Sequence, residues 1–569
     1  MTTAFQFKPL SSMLLLLGLL TLFTSCANDS PIVNTKKKLL VIHARGLSYQ
    51  DLFDYLNGQH EQKFFTSRTR ENIRRVTPIS NAVTITNIAS FETGSLPAEH
   101  GILGHTYAIR NGDSLQVVSG FSQPFAKETF WEKAARSGKK VLNVGALLLR
   151  GKYEQMDNVD CLAQGQQVHS TSFIELHPDA EQDREAVRLY QFLETEEFPL
   201  GNQYPIPLIA YKLALDDDTI QDGLILDTDQ NVSNGYLGRI KLGEWLELEQ
   251  AHSPNRKKAF RLKYQADRGD TIRLYLRPSY FNRGYPAAFV ASIDSAIGAA
   301  TGWPNTGGYA LNRITAQTLI EEINREVDHV LNVFSHAANE KDYDLILFDY
   351  PLMDRYGHAF LGERKSSSII QEHYQSALDR MDEDFYQLQQ FAEENQFELL
   401  IISGHGFSPV HTSINLNQLL SNAGLETDQA KEGWEAFGAA GKVAAHIYLN
   451  PLLTGLERSQ AVSKIERIAQ STRTAEDRAF IDRLYRKDQL SAIGLNHANA
   501  GDLFILLKPG FVFQSSGNKE LFGIPVFKGD HGYAPHHKES AGVMVTTTSC
   551  EPCSSVEVAD LILDKMNLR

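Results

Sequence analysis

In the string FDYPLMDRYGH, Asp354 and His358 stand with three residues between them, a spacing that on a short turn or helix points both side chains to one side. A carboxylate beside an imidazole is a donor pair suited to zinc. Two further His-Gly pairs offer imidazoles: His405 and Gly406 after Ser403 and Gly404, and His531 and Gly532 after Gly529 and Asp530. A fourth piece runs from Thr84 through Asn87 and Ser90 to Thr93 and Gly94, with Pro97, His100 and Gly101 beyond it. A threonine that opens a helix is well placed for nucleophilic attack, because the unpaired amides and the helix dipole stabilise an alkoxide and attract phosphate oxygens. Each residue also has an ordinary structural use when taken alone. Thr84 can be an N-cap, His405 and His531 can be hydrogen-bonded core histidines, and Arg45 can pair with Asp349 or Asp530 in a buried ion pair.

These residues need a frame that brings distant parts of the chain together. Lys38 to His43, Leu345 to Phe348 and Leu399 to Ile402 are short apolar runs rich in branched residues, and each ends in polar residues: Arg45 and Gly46, Asp349 and Tyr350, Ser403 to His405. They read as buried strands. Amphipathic stretches between them, such as Ala316 to Phe334 and Ser368 to Phe391, read as helices. The alternation predicts an α/β fold, a mostly parallel sheet covered by helices on both faces, whose ligands bind at the carboxyl ends of the strands. From 151 to 312 the pattern changes to alternating aromatic-rich segments, Arg239 to Leu248 and Thr271 to Leu276 among them, and predicts an inserted cap lobe. The expected organisation is a leader over 1–25, a linker over 26–35, core over 36–150, the cap over 151–312, and core again over 313–569.

The order of the pieces resembles the nucleotide pyrophosphatase/phosphodiesterase branch of the alkaline phosphatase superfamily. That family shows a strand ending in Asp-Gly, then Thr-x-x-Asn-x-x-Ser/Thr-x-x-Thr-Gly, then Asp-x-x-Gly-His, Asp-His-Gly and a late His-Gly. Here the same order is met by Arg45-Gly46, Thr84 to Gly94, Asp354 to His358, Gly404-His405-Gly406 and His531-Gly532. Ile414 to Leu425 and Gly243-Glu244-Trp245 add similarity, so the resemblance covers most of the chain. It implies an alkaline-phosphatase-like core, two zinc ions flanking the Thr84 nucleophile, and Asn87 as a phosphate-binding residue. One zinc site carries over whole, to Asp354, His358 and His531. The other loses both carboxylates, which become Arg45 and Gly404, leaving Thr84 and His405.

A guanidinium where a carboxylate is expected removes the charge and the ligand that a divalent ion needs, so the second site is expected to be empty and the chain to hold one zinc ion. His43, on the same strand face as Arg45, would sit about 6–7 Å deeper at strand spacing. Two readings stay open. In one, Arg45 replaces the missing cation and His405 acts as base toward Thr84, so phosphodiester hydrolysis survives through a phosphothreonine. In the other, the chain is a catalytically impaired pseudoenzyme or a phosphate-binding envelope lipoprotein. His100, His105, His536 and His537 are kept as surface or supporting candidates.

Composition narrows the partners. With 42% hydrophobic and 22% charged residues the chain has material for a large core. A net charge of −14, with no basic run longer than Lys36 to Lys38, argues against a nucleic-acid polymer and leaves a small phosphorylated substrate. The N-terminus carries Lys8, an apolar run from Met13 to Phe23, then Thr24, Ser25 and Cys26. This predicts a lipoprotein signal peptide and an envelope enzyme held to a membrane by lipid on Cys26, facing the periplasm or the outside. Cys550 and Cys553 are expected to form a small disulfide loop.

Overall fold

A computed structural model describes residues 37–58, 63–65, 72–146, 156–167, 172–178, 187–192, 209–214, 220–227, 235, 238–253, 256–268, 271–278, 280–514, 520–546 and 553–569. The expected leader, Cys26 and the Cys550–Cys553 pairing lie outside them.

The three apolar runs form the middle of a nine-stranded sheet. Its five central strands, in spatial order Val159–Gln167, Val141–Ala146, Leu345–Tyr350, Lys38–Ala44 and Phe397–Ser403, are all parallel. Gly542–Thr546 then joins antiparallel beside Phe397–Ser403, and Tyr280–Tyr285 closes the far edge antiparallel. Both sheet faces are buried, so the strands read as continuous apolar runs instead of alternating ones. Leu39 and Val41 pack toward Phe91, Phe130 and Ile562 of three helices on one face, Thr84–Thr93, Phe130–Arg136 and Val558–Lys565. Leu40 and Ile42 pack the other way, in the core that holds Phe334 of the helix Ala316–Glu340 and Phe385 of the helix Ser368–Glu394. The structure is thus the helix-covered, mostly parallel α/β sheet that the sequence predicts.

Of the four smaller sheets among the described residues, two matter here. An eight-stranded antiparallel sheet takes all its strands from between Ser172 and Pro278. Val159–Gln167 and Tyr280–Tyr285, inside the stretch expected as cap, are strands of the central sheet. A four-stranded sheet, in the order Ala436–Gly441, Ala444–Leu449, Leu503–Leu507, Ile481–Arg486, lies within the C-terminal stretch. Its first two strands are joined by the two residues Lys442 and Val443, and Lys442 holds φ at +61°. A lysine in that left-handed conformation costs on the order of 1 kcal/mol, a strain that persists only where surrounding contacts fix it. No helix among the described residues is long and apolar enough to cross a membrane.

Candidate active site

The carboxyl ends of the parallel strands deliver the site. The first strand stops at Ala44, and Gly46 turns the chain away at φ +74°, so close to the helix Leu352–Phe360 that a Cβ there would lie 2.6 Å from Asp354 Cα. The Leu345–Tyr350 strand runs into the helix Leu352–Phe360, which places Asp354 in its first turn and His358 one turn on, both buried. Thr84 is the first residue of the helix Thr84–Thr93, not its N-cap, which is Val83. The Asn87 amide therefore bonds back to the Val83 carbonyl, and the hydroxyl of Thr84 stays available to the site. His531 follows the two-residue strand Gly529–Asp530.

Four chain segments converge here. Thr84 Oγ1 lies 3.2 Å from His531 Nε2. Asp354 Oδ1 lies 3.8 Å from His358 Nε2 and 3.9 Å from His531 Nε2. The donor atoms of Asp354, His358 and His531 all fall within 4.8 Å of one another and form a group that could hold a metal ion. The tautomers suit it. His358 Nδ1–H donates to the Gly529 carbonyl at 2.9 Å and His531 Nδ1–H to the Ala82 carbonyl at 3.0 Å, so both Nε2 lone pairs point inward. Burial holds the His358 imidazole down to about 4, helped by Lys442, and holds His531 well below the ordinary histidine value. Both rings are therefore neutral near pH 7. Burial alone would raise the Asp354 carboxyl, but the charges of Arg45, Arg355 and Lys442 together keep it ionised, well below the usual carboxylate range. Its Oδ1 is buried with no hydrogen-bond donor among the described residues, as an oxygen kept for a cation would be.

A cation is already present, from the chain itself. Lys442, at the strained hairpin tip, donates to His358 Nε2 at 2.9 Å and to His531 Nε2 at 3.1 Å, and its ammonium lies 3.2 Å from Asp530 Oδ1. Ligands at the corners of a zinc tetrahedron stand about 3.3–3.4 Å apart for bonds of about 2.0–2.1 Å. The two separations that involve Asp354, 3.8 and 3.9 Å, are wider than that. Lys442 escaped the sequence reading, since a lysine 84 residues from His358 in an accessory hairpin has no motif.

The position of the second metal of the resembled family, expected here to hold no ion, is taken up by side chains. The Arg45 side chain is fully buried, its Nε 3.0 Å from Asp349 Oδ1 and its Nη1 3.7 Å from Asp354 Oδ2. Pairing with Asp349 is thus part of its environment, and His43 Nδ1–H donates to the same Asp349 oxygen at 3.1 Å. The space beside Gly404 belongs to Asn87: a Cβ at Gly404 would lie 2.3 Å from Asn87 Nδ2. His405 lies flat on His531, ring centroids 3.8 Å apart and 5° from parallel, and its Nδ1–H donates to the Gly406 carbonyl at 3.2 Å. Among the described residues no hydrogen bond joins His405 to Thr84; the imidazole that does meet the hydroxyl is His531.

Support comes from residues packed around these. Arg355 forks onto Glu326 through two bonds of 2.7 Å and donates to Asp354 Oδ2 at 3.0 Å, so the helix Ala316–Glu340 clamps the carboxylate from behind. His100 is a structural histidine, bonded to Ser90 Oγ at 2.9 Å and accepting from the Ile102 amide at 3.1 Å. In front of the site opens a cleft of about 1070 Å³, large enough for a nucleotide-sized ligand. Thr84, Asp354, His358 and Lys442 line it together with Trp303, Phe437, Phe513 and Phe527.

A family model described as type I phosphodiesterase / nucleotide pyrophosphatase matches residues 39–181 and 245–534. Among solved structures, human ectonucleotide pyrophosphatase / phosphodiesterase 5 is similar at 11% identity and a TM-score of 0.47, covering 94% of this chain and 96% of that one. The murine protein of the same name, as an inactive variant in complex with AMP, is similar at 10% identity and a TM-score of 0.46, with the same coverage. No curated protein matches the chain by sequence.

Proposed function

Because the chain belongs to the type I phosphodiesterase / nucleotide pyrophosphatase family, a family of phosphoryl ester hydrolases, we propose that it cleaves a phosphodiester or related phosphoryl ester with Thr84 as nucleophile. One observation carries the reading: the Thr84 hydroxyl, at the start of a buried helix, faces the metal-capable group at 3.2 Å and opens on the cleft. A divalent ion, zinc by the imidazole and carboxylate chemistry of the donors, would be held by Asp354, His358 and His531 and would supply positive charge beside the Thr84 oxygen.

The chain's own groups account for the rest. The first-turn amides of the Thr84 helix and its dipole face incoming phosphoryl oxygens, and the Lys442 ammonium adds a positive charge to the cleft lining. Arg45 helps keep Asp354 ionised and pairs with both the Asp349 and Asp354 carboxylates. Thr84 Oγ1 bonds to phosphorus as the bond to the leaving oxygen breaks, and the threonine proton ends on that oxygen. Water then attacks the phosphothreonine, returning one proton to Thr84 Oγ1 and releasing the other to solvent. Asn87, one turn beyond Thr84 with an unpartnered buried amide, is the remaining phosphate-binding group of this proposal. The proposal also carries export and a lipid anchor on Cys26; a Cys26→Ser chain is expected to leave the membrane fraction.

The test is turnover on phosphomonoester, phosphodiester and sulfate ester panels. Thr84→Ala is expected to lower aryl phosphodiester turnover by about a thousandfold or more while bound metal stays the same. Turnover unchanged by that substitution sinks the proposal. A second reading, a phosphate-binding protein with little turnover, is favoured by Arg45 and Asn87 filling the second cation position; phosphate binding with no turnover on any panel selects it.

A further inference from the structure

A second group of metal-type donors lies away from the cleft. Asp482 sits on Ile481–Arg486, the edge strand of the four-stranded sheet, and His536 and His537 on the loop that leaves His531 and Gly532. The edge strand is irregular where Asp482 falls: Ile481 pairs with Leu507 and Arg483 with Leu506, so Asp482 is an extra residue in the ladder. Such a bulge re-aims the side chain it carries. Here the carboxylate turns inward, 9% exposed, to meet both imidazoles: Oδ2 lies 3.5 Å from His536 Nε2 and 3.3 Å from His537 Nε2. The loop is held by two backbone bonds, His537 N–H to the Ala534 carbonyl and Ser540 N–H to the His537 carbonyl, both 3.1 Å.

These contacts are not hydrogen bonds. Asp482 Oδ2 and His537 Nε2 are both buried with no hydrogen-bond partner among the described residues, an expensive arrangement when nothing bridges them. The spacing is that of ligands: 3.3 and 3.5 Å bracket the edge of a zinc tetrahedron, about 3.3–3.4 Å. All three donor atoms lie within 4.8 Å of one another. In contrast to Asp354, which Arg45 and Arg355 approach, the ion-pair partners of Asp482 among the described residues are these two histidines alone. His536 is 51% exposed, so an ion has a path from solvent.

We propose that Asp482, His536 and His537 form a second metal site, for a divalent transition ion of the zinc, cobalt, nickel or copper type, completed by water. Two imidazoles and one carboxylate suit such ions and not magnesium or calcium, which take oxygen ligands. The bound ion would tie the edge of the accessory sheet to the loop that begins at His531, so its role is to hold that loop.

The experiment uses the full chain, stripped with a chelator and titrated with Co²⁺ and Zn²⁺, in an Asp354→Ala, His358→Ala background in which the cleft group is disabled. About one equivalent of Co²⁺ should still bind, with the visible absorption of a low-coordinate site, and Zn²⁺ should raise the melting temperature. Adding His536→Ala and His537→Ala should weaken binding at least thirtyfold and erase both signals. In the otherwise unchanged chain, His536→Ala alone, at a half-exposed position that threatens the fold little, should remove one equivalent. Unchanged stoichiometry and affinity in the histidine variants overturn the proposal. The readout is metal count, so the result is independent of whether the cleft hydrolyses anything.

Discussion

The Lys442 ammonium lies 2.9 Å from His358 Nε2, on a lone pair that a metal ion in the cleft would need, and the same ammonium takes the Nε2 lone pair of His531 at 3.1 Å. One imidazole nitrogen cannot serve both cations, and two positive charges at that separation repel strongly inside a buried site. Ammonium and metal therefore compete. Lys442→Met, which keeps the apolar stem and removes the charge, is expected to tighten zinc binding at the cleft group by at least tenfold. Calorimetric titration of stripped protein on a His536→Ala background reads this directly. Affinity that stays level or falls would show that Lys442 assists the ion instead of displacing it.

The second cation position is closed by packing as well as by charge. Asn87 is buried, and its Nδ2 stands 2.3 Å from where a Cβ at Gly404 would be. Gly404→Ala is expected to destabilise the fold by about 1–3 kcal/mol through overpacking. Asn87→Ala should relieve most of that cost, so the double variant is more stable than the sum of the two single changes implies; urea unfolding of the four proteins measures the coupling. The same contact sets the terms for rebuilding the lost site. Arg45→Asp with Gly404→Asp should gain a second metal equivalent only when Asn87→Ala is added.

What the sequence made legible follows from how it signals. The runs Leu39 to Ile42, Leu345 to Phe348 and Leu399 to Ile402 are buried on both sheet faces, so their continuous apolar character announces parallel strands, and the polar residues after them announce the site. Asp354 and His358 were legible because helix geometry couples residues one turn apart. His531 was legible only through the order of motifs, since nothing local distinguishes it from a core histidine. Lys442 and Glu326 gave no sign: each reaches the site through tertiary packing, one from a hairpin tip and one from the flank of a long amphipathic helix. The strained φ of Lys442 is the trace that structure, unlike sequence, records. His405 shows the opposite case, a residue placed by its motif at the site but turned to stack on His531.

Glu92, on the same helix as Thr84, ties stability to pH. Burial pushes its carboxyl up to about 7; Glu132 and Asp349 push in the same direction, against the Trp131 indole N–H, which donates to it at 3.0 Å. The folded chain thus keeps this proton up to about pH 7, whereas the unfolded chain releases it near 4.5. Between those values the folded state binds more protons, so its stability falls as pH rises and the loss is complete once the folded group has ionised. The full swing is about 3 kcal/mol. Glu92→Gln retains an oxygen for Trp131 and removes the titration. Its stability relative to the parent should therefore climb between pH 5 and pH 8, by about 2–3 kcal/mol. Urea midpoints for both proteins at pH 5, 6, 7 and 8 measure the difference; parallel profiles would mean that Glu92 is already ionised in the folded chain at pH 5.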